Sequence, residues 1–505
     1  MKVRNIKFVF MFLAVFALTF ILPQNVSAKT LEPQSMDEFK SMVASAQDGD
    51  VIDLVKFYNK NEFNPGGNDF SSLGLINVNS NITIMSSDPK QAAYRWGTTE
   101  GARAVYISNI SFNIASEKTL TMKGHLYLKG PKDKAVISGE GNLYLTERMN
   151  LSGQNGKPAI YLPNSSVKIE NLMSYTGEEE TGEINEYGYP VTVKLKYYSR
   201  IIGGDSSTER GADAIVAKDI EVDQTNLDFK PSPYTVDQGL YIRGGNGLGD
   251  NIQGGHGLKG ENIIVDLSGE KNEYHSTSTV ISGGAGGYGQ GAIIGKNINI
   301  KCAGYNKIAS GSGVDLSVNE GKRENFYYGT IEVEDDGGKL DFATKEFPSL
   351  SDSDKEKMNS ITGGSNIRYI DSNGNTESED FFNGKRFTNF YGPIILANGN
   401  AKVNVYRGSF IDKGANDTMP SGSADPDFMY KLPHSPAIEM GTGTLNLGMP
   451  GQTDPLSIGC GFHFFNTSEA LIDSKADVNV YGANTSIQGP TPGSSTSNTG
   501  IATMK

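Results

Sequence analysis

The sequence predicts an all-β chain whose strands stack as a parallel solenoid, and three observations carry that expectation. First, one pattern is stated three times between residues 201 and 300. Ile201-Ile202-Gly203-Gly204 leads to Asp219-Ile220-Glu221-Val222, Ile242-Arg243-Gly244-Gly245 to Asn262-Ile263-Ile264-Val265, and Ile281-Ser282-Gly283-Gly284 to Asn297-Ile298-Asn299-Ile300. The period, about 40 residues, lies in the range of repeat architectures. Second, apolar and polar residues alternate within each short run, the period of a half-buried strand. Third, glycine supplies 61 of 505 residues, about 12 % against a usual 7 % or so. Glycine is expected at the turns, where it accepts positive φ without steric cost.

Taken in order, the chain opens with an export signal. Lys2, Arg4 and Lys7 precede an apolar run at residues 8–22, and Val26-Ser27-Ala28 is a small-residue cleavage site. The run, about 15 residues, is shorter than the 20 or so a spanning helix needs. Residues 1–28 are therefore expected to be a signal peptide, leaving a soluble chain with no membrane span. A short helix is predicted over residues 36–46, with Met36, Phe39, Met42 and Val43 on one face. Ser35 supplies the N-cap and Glu38 the capping box. Such a helix would close the first coil, whose apolar end and strand edge are otherwise open.

After the turn Gln47-Asp48-Gly49-Asp50, strands follow at Val51-Ile52-Asp53-Leu54-Val55 and Asn81-Ile82-Thr83-Ile84. This cap-then-strand opening resembles the start of pectate-lyase-like right-handed parallel β-helices. With the Gly-Gly repeats, the chain is most similar to the adhesive β-helical domains of exported bacterial surface proteins. The resemblance implies a single-stranded right-handed parallel β-helix over residues 29–490. It also implies a non-catalytic adhesive or structural role at a bacterial surface, with polysaccharide or a host or envelope component as ligand. The alternative within the same fold is a polysaccharide lyase or glycoside hydrolase acting on uronate-containing polysaccharide.

Between residues 120 and 170, short alternating runs recur about every eight residues, so three strands would close a coil of about two dozen. A β-sandwich would space its turns similarly, but its two-residue Asn-Gly hairpins are not expected between these runs. Residues 174–190, with Glu178, Glu179, Glu180, Glu183 and Glu186, are expected to be a solvated acidic loop, and residues 342–360 an excursion carrying a surface helix. Strand rhythm resumes at 393–396, 402–406, 444–447 and 477–481, and residues 491–505 read as a flexible tail.

The formal charge of -13, about -16 without the signal, argues against nucleic acid as a partner. Cys302 and Cys460 are too few to frame a fold and are expected as buried free thiols. Trp96 would either seal the cap or stack on a sugar.

The glycine-rich tract at residues 244–260 approaches a nonapeptide calcium repeat, with Asp250 as the carboxylate. It departs in an extra glycine, and Lys259 stands where the second copy needs an aspartate. No Ca²⁺ site is therefore expected. Melts of wild type and Asp250→Asn, with Ca²⁺ and with chelator, should coincide; a calcium gain abolished by the variant would overturn this reading. Gly255-His256-Gly257 resembles the Gly-His-Gly of polygalacturonases, with Asp237 in Val236-Asp237-Gln238 as the nearest upstream carboxylate. Hydrolysis would need a second one, since acid and base flank the bond. A lyase would instead need acidic Ca²⁺ ligands and a basic side chain to remove a proton. Asp205, Arg210 and Asp213 are close enough in sequence to share one turn region. His256, Asp237, Asp205, Arg210 and Asp213 are thus the residues to locate, each with an ordinary reading as a turn or surface group.

Overall fold

The computed structural model describes residues 28–59, 69–87, 93–94, 104–172, 175–225, 238–267, 278–314, 328–345, 361–362, 387–388, 393–412, 436–459 and 472–488, apart from gaps of one to three residues inside some of these. Residues 1–27, Trp96, Asp237, Asp250, Cys460 and the tail after Gln488 lie outside them.

The chain is all-β and its sheets are mostly parallel, an arrangement compatible with a β-helix. The largest sheet has 18 strands and contains two parallel ladders, and a 9-stranded sheet forms a third. Alternation built the ladders: residues of one parity point inward and stack on their equivalents one level away. In one ladder Ile76, Phe112, Ile137, Ile160, Ile215, Leu258, Ile293, Ile331, Ile395, Ile438 and Ile472 are successive register partners. All eleven are buried. A second ladder runs from Ile52 through Ile84, Met122, Leu145, Ile169, Val222, Val265, Ile300, Phe342 and Val405 to Leu447 and Val480. In the third, Leu128, Leu151, Ile201, Ile242, Ile281 and Ile308 align. Long strands such as Ile160–Glu170 serve the first two ladders in turn, with a register shift between Leu162 and Ser166 where the chain bends.

Ile220, Ile263 and Ile298 share one register, so the repeat alignment read from the sequence holds. Level spacing is less regular than the repeats imply. Leu120 pairs with Leu143 and Leu143 with Val167, offsets of 23 and 24 residues. Leu340 pairs with Val403, an offset of 63. The register carries on across the longer offset, from Leu340 through Val403 to Leu445.

The capping helix, α1, spans Met36–Ser45 and buries Phe39 and Val43. Phe39 meets the Phe112 ring edge-on at 6.4 Å. Ser35 Oγ accepts from the Glu38 backbone N–H, but Glu38 reaches back to the N–H of Gln34 rather than of Ser35, one residue beyond a capping box.

Two expectations are corrected. Within the acidic run at residues 174–190, Tyr175–Ile184 is a strand and not a loop: it pairs antiparallel with Pro190–Tyr197, with Glu178 in register with Lys194. Phe342 belongs to no excursion; it lies in the strand Lys339–Lys345 and is fully buried. Residues 346–360, with the expected helix, lie outside the described residues. Cys302 is a buried free thiol, and burial pushes its pKa up to about 12. Among the described residues no helix is long and apolar enough to cross a membrane.

Candidate functional site at the stacked glycine turns

The turns that lead from the third ladder into the first are built on the Gly-Gly pairs. None of Gly203, Gly204, Gly244, Gly245, Gly283 or Gly284 adopts positive φ, which corrects the expected reason for glycine. The pairs are needed because the turns stack backbone on backbone. A Cβ on Gly245 would stand 2.1 Å from the Gly204 carbonyl oxygen, and one on Gly284 1.9 Å from that of Gly245.

This close stacking brings together side chains that are far apart in sequence. Asp213 Oδ1 is the focus. It accepts from the His256 backbone N–H at 2.7 Å and from Arg210 Nη2 at 2.5 Å, and lies 3.0 Å from His256 Nδ1. Arg210 Nη2 also meets His256 Nδ1 at 2.7 Å, and its Nε donates to the Gly254 carbonyl. In the same turn as Asp213, Asp205 accepts from the Asn246 backbone N–H at 2.6 Å, and Arg243 Nη2 approaches it at 3.6 Å; on the adjacent level Asn246 Oδ1 accepts from the Ala285 N–H. Arg210, Asp213 and His256 thus form one contact cluster, with Asp205 in the same stacked turns; Asp237 and Asp250 lie outside the described residues.

The electrostatics follow from burial and partners. Burial drives Asp213 upward, yet the His256 hydrogen bond and the charges of His256 and Arg210 prevail and hold its carboxyl well below the usual range. His256 is lowered, chiefly by burial and further by Arg210 and Lys259, against the pull of Asp213. Its Nε2 is buried with no hydrogen-bond partner among the described residues. Among the described residues no group of three His, Cys, Asp or Glu side chains is placed to hold a metal ion.

Glu332 went unnoticed in the sequence. It occupies the outward register row Val216, Lys259, Ile294, Glu332, and the signal was that row, visible once the strands are aligned. Burial lifts its carboxyl to about 7; the Gly329 N–H and the charges of Arg210 and Lys259 oppose this incompletely. A carboxyl whose folded pKa exceeds its unfolded value of about 4.3 destabilises the fold as pH rises through that interval. Wild type should therefore lose on the order of 2 kcal/mol relative to Glu332→Gln between pH 4.5 and pH 8, read from denaturation midpoints. Parallel pH profiles of the two proteins would contradict this placement of Glu332.

Compared with models of protein families, with curated proteins and with solved structures, the chain matches none.

Proposed function

We propose that the chain is a single-stranded right-handed parallel β-helix over residues 29–490, exported by a signal at residues 1–28, that serves outside a bacterial cell as a non-catalytic adhesive or structural module. The observation that carries this reading is the unbroken register of two ladders, from Ile52 to Val480 and from Ile76 to Ile472. Continuous ladders make a stiff rod with flat outward faces. One such face is polar and pre-ordered. Tyr144 Oη donates to Glu170 at 2.8 Å, Lys168 bridges Glu170 and Glu221 at 3.3 and 3.4 Å, and Lys301 meets Asp266 at 3.0 Å. A surface of this kind suits a polysaccharide or a host or envelope ligand, with no tightly bound cofactor required.

The second reading, a lyase or hydrolase of uronate-containing polysaccharide, is favoured by the split between an ionised Asp213 and a Glu332 titrating at about 7. Environments that push two carboxyls apart are what acid and base roles require. Asp213 is badly placed for either role, because Oδ1 accepts from Arg210 and from the His256 backbone N–H, lies 3.0 Å from His256 Nδ1, and belongs to a side chain only 9 % exposed. That tips the balance to the first reading, in which the cluster clamps successive turns. Purified protein incubated with a panel of uronate polysaccharides, with and without Ca²⁺, should yield neither unsaturated products nor new reducing ends. Release of either, abolished by Asp213→Asn, would replace the adhesive reading with the enzymatic one.

A further inference from the structure

The two ends of the stack are finished differently. At the N-terminal end α1 lies across the core with Phe39 and Val43 buried, and the outermost strand, Thr30–Leu31, has two residues. At the C-terminal end the strands Ile472–Ser474, Asp477–Val480 and Thr485–Gln488 are each paired on one side only among the described residues. Val480 marks the consequence. Its register partner Leu447 and the next, Val405, are fully buried, yet Val480, of the same inward parity, is 49 % exposed.

A polar ladder points the same way. Asn404 Nδ2 donates to Asp341 Oδ1 at 2.7 Å, Asn446 Nδ2 to Asn404 Oδ1 at 2.7 Å, and Asn479 Nδ2 to Asn446 Oδ1 at 3.0 Å. A carboxylate only accepts, so Asp341 fixes the direction of every amide above it. The ladder ends in Asn479 with its Oδ1 and its second Nδ2 proton directed to no further level among the described residues.

We propose that this last level pairs with the same level of a second copy of the chain, end to end about a twofold axis at Asn479. A sheet edge with free backbone donors and acceptors recruits a strand, and a twofold interface must be self-complementary. Antiparallel pairing centred on Asn479 meets that condition. Val478 then faces Val480 of the copy in both directions, which continues the apolar interior, and the two Asn479 amides lie side by side, each with a donor and an acceptor to exchange. Asp477 falls opposite Tyr481, so no like charges face each other. Head-to-tail stacking is disfavoured because α1 occupies the other end.

The test is the solution mass of the purified full chain by sedimentation equilibrium, for wild type, Asn479→Lys and Asn479→Cys. Wild type should sediment as a reversible dimer. Asn479→Lys, which sets two like charges on the axis at an exposed position, should be a monomer with the circular dichroism spectrum of wild type. Asn479→Cys should oxidise to a dimer linked through residue 479. A wild type that stays monomeric at the highest attainable concentration overturns the proposal, as does an Asn479→Lys protein that dimerises as wild type does or an Asn479→Cys protein that gives no linked dimer.

Discussion

Ile263→Asp is expected to unfold the levels around it. Ile263 is fully buried and stacks in register between Ile220 and Ile298. An aspartate there either leaves a carboxylate without partners in an apolar interior or is forced to protonate, at a cost of about 4 kcal/mol or more on top of the lost apolar packing. Set against a typical stability of about 5–15 kcal/mol, that should lower the thermal midpoint severely. The neighbouring residue provides the control. Ile264 has the opposite parity and is only partly buried, so Ile264→Asp should shift the midpoint far less. Equal losses at the two positions would mean that the inward and outward rows have been misassigned.

Gly284→Ala is the second large effect. Its added Cβ would stand 1.9 Å from the Gly245 carbonyl oxygen and 2.6 Å from its carbon, and these are backbone atoms that cannot rotate away. The turn stack must open, which should cost about 3 kcal/mol or more, at the upper end of overpacking penalties. Gly74 offers the contrast. It has φ +63°, but a Cβ there would meet no atom within 4 Å, so Gly74→Ala should cost only about 1 kcal/mol of backbone strain. Denaturant midpoints of the two variants measure the difference. Similar losses would remove close approach as the reason for the Gly-Gly pairs.

Much of the fold was legible in the sequence because alternation is a local signal. The rows headed by Ile201 and Ile220 follow from aligning three repeats, and the capping helix follows from Ser35 and the Phe39, Val43 stripe. What could not be read has physical causes. The Gly-Gly pairs look alike whether they serve positive φ or backbone contact, and only the stacking distance separates the two. The strand at Tyr175–Ile184 has a run of glutamates in place of an apolar alternation, so it mimicked a loop. The Asp213–His256 contact spans 43 residues; it exists because those two positions fall on adjacent levels, a relation hidden while level lengths vary from 23 to 63 residues. Arg210 and Asp213 were visible as a pair three residues apart, whereas their shared use of one carboxylate oxygen with His256 was not.

Parallel register between successive levels is the claim on which the rest depends, and cysteine pairing tests it most directly. Asp219 and Asn262 are register partners on the outward face, with Asn262 Nδ2 2.7 Å from Asp219 Oδ1. Neighbouring strands lie about 4.8 Å apart, and a disulfide closes when Cα atoms are roughly 4.4–6.8 Å apart. The double variant Asp219→Cys with Asn262→Cys should therefore form an intramolecular disulfide under mild oxidation, identified by mass spectrometry of the linked peptides. Asp219→Cys with Ile264→Cys, two positions out of register, should remain reduced under the same conditions. Rapid bonding of the first pair and not the second is the predicted result; bonding of the second, or of neither, would contradict the parallel stack.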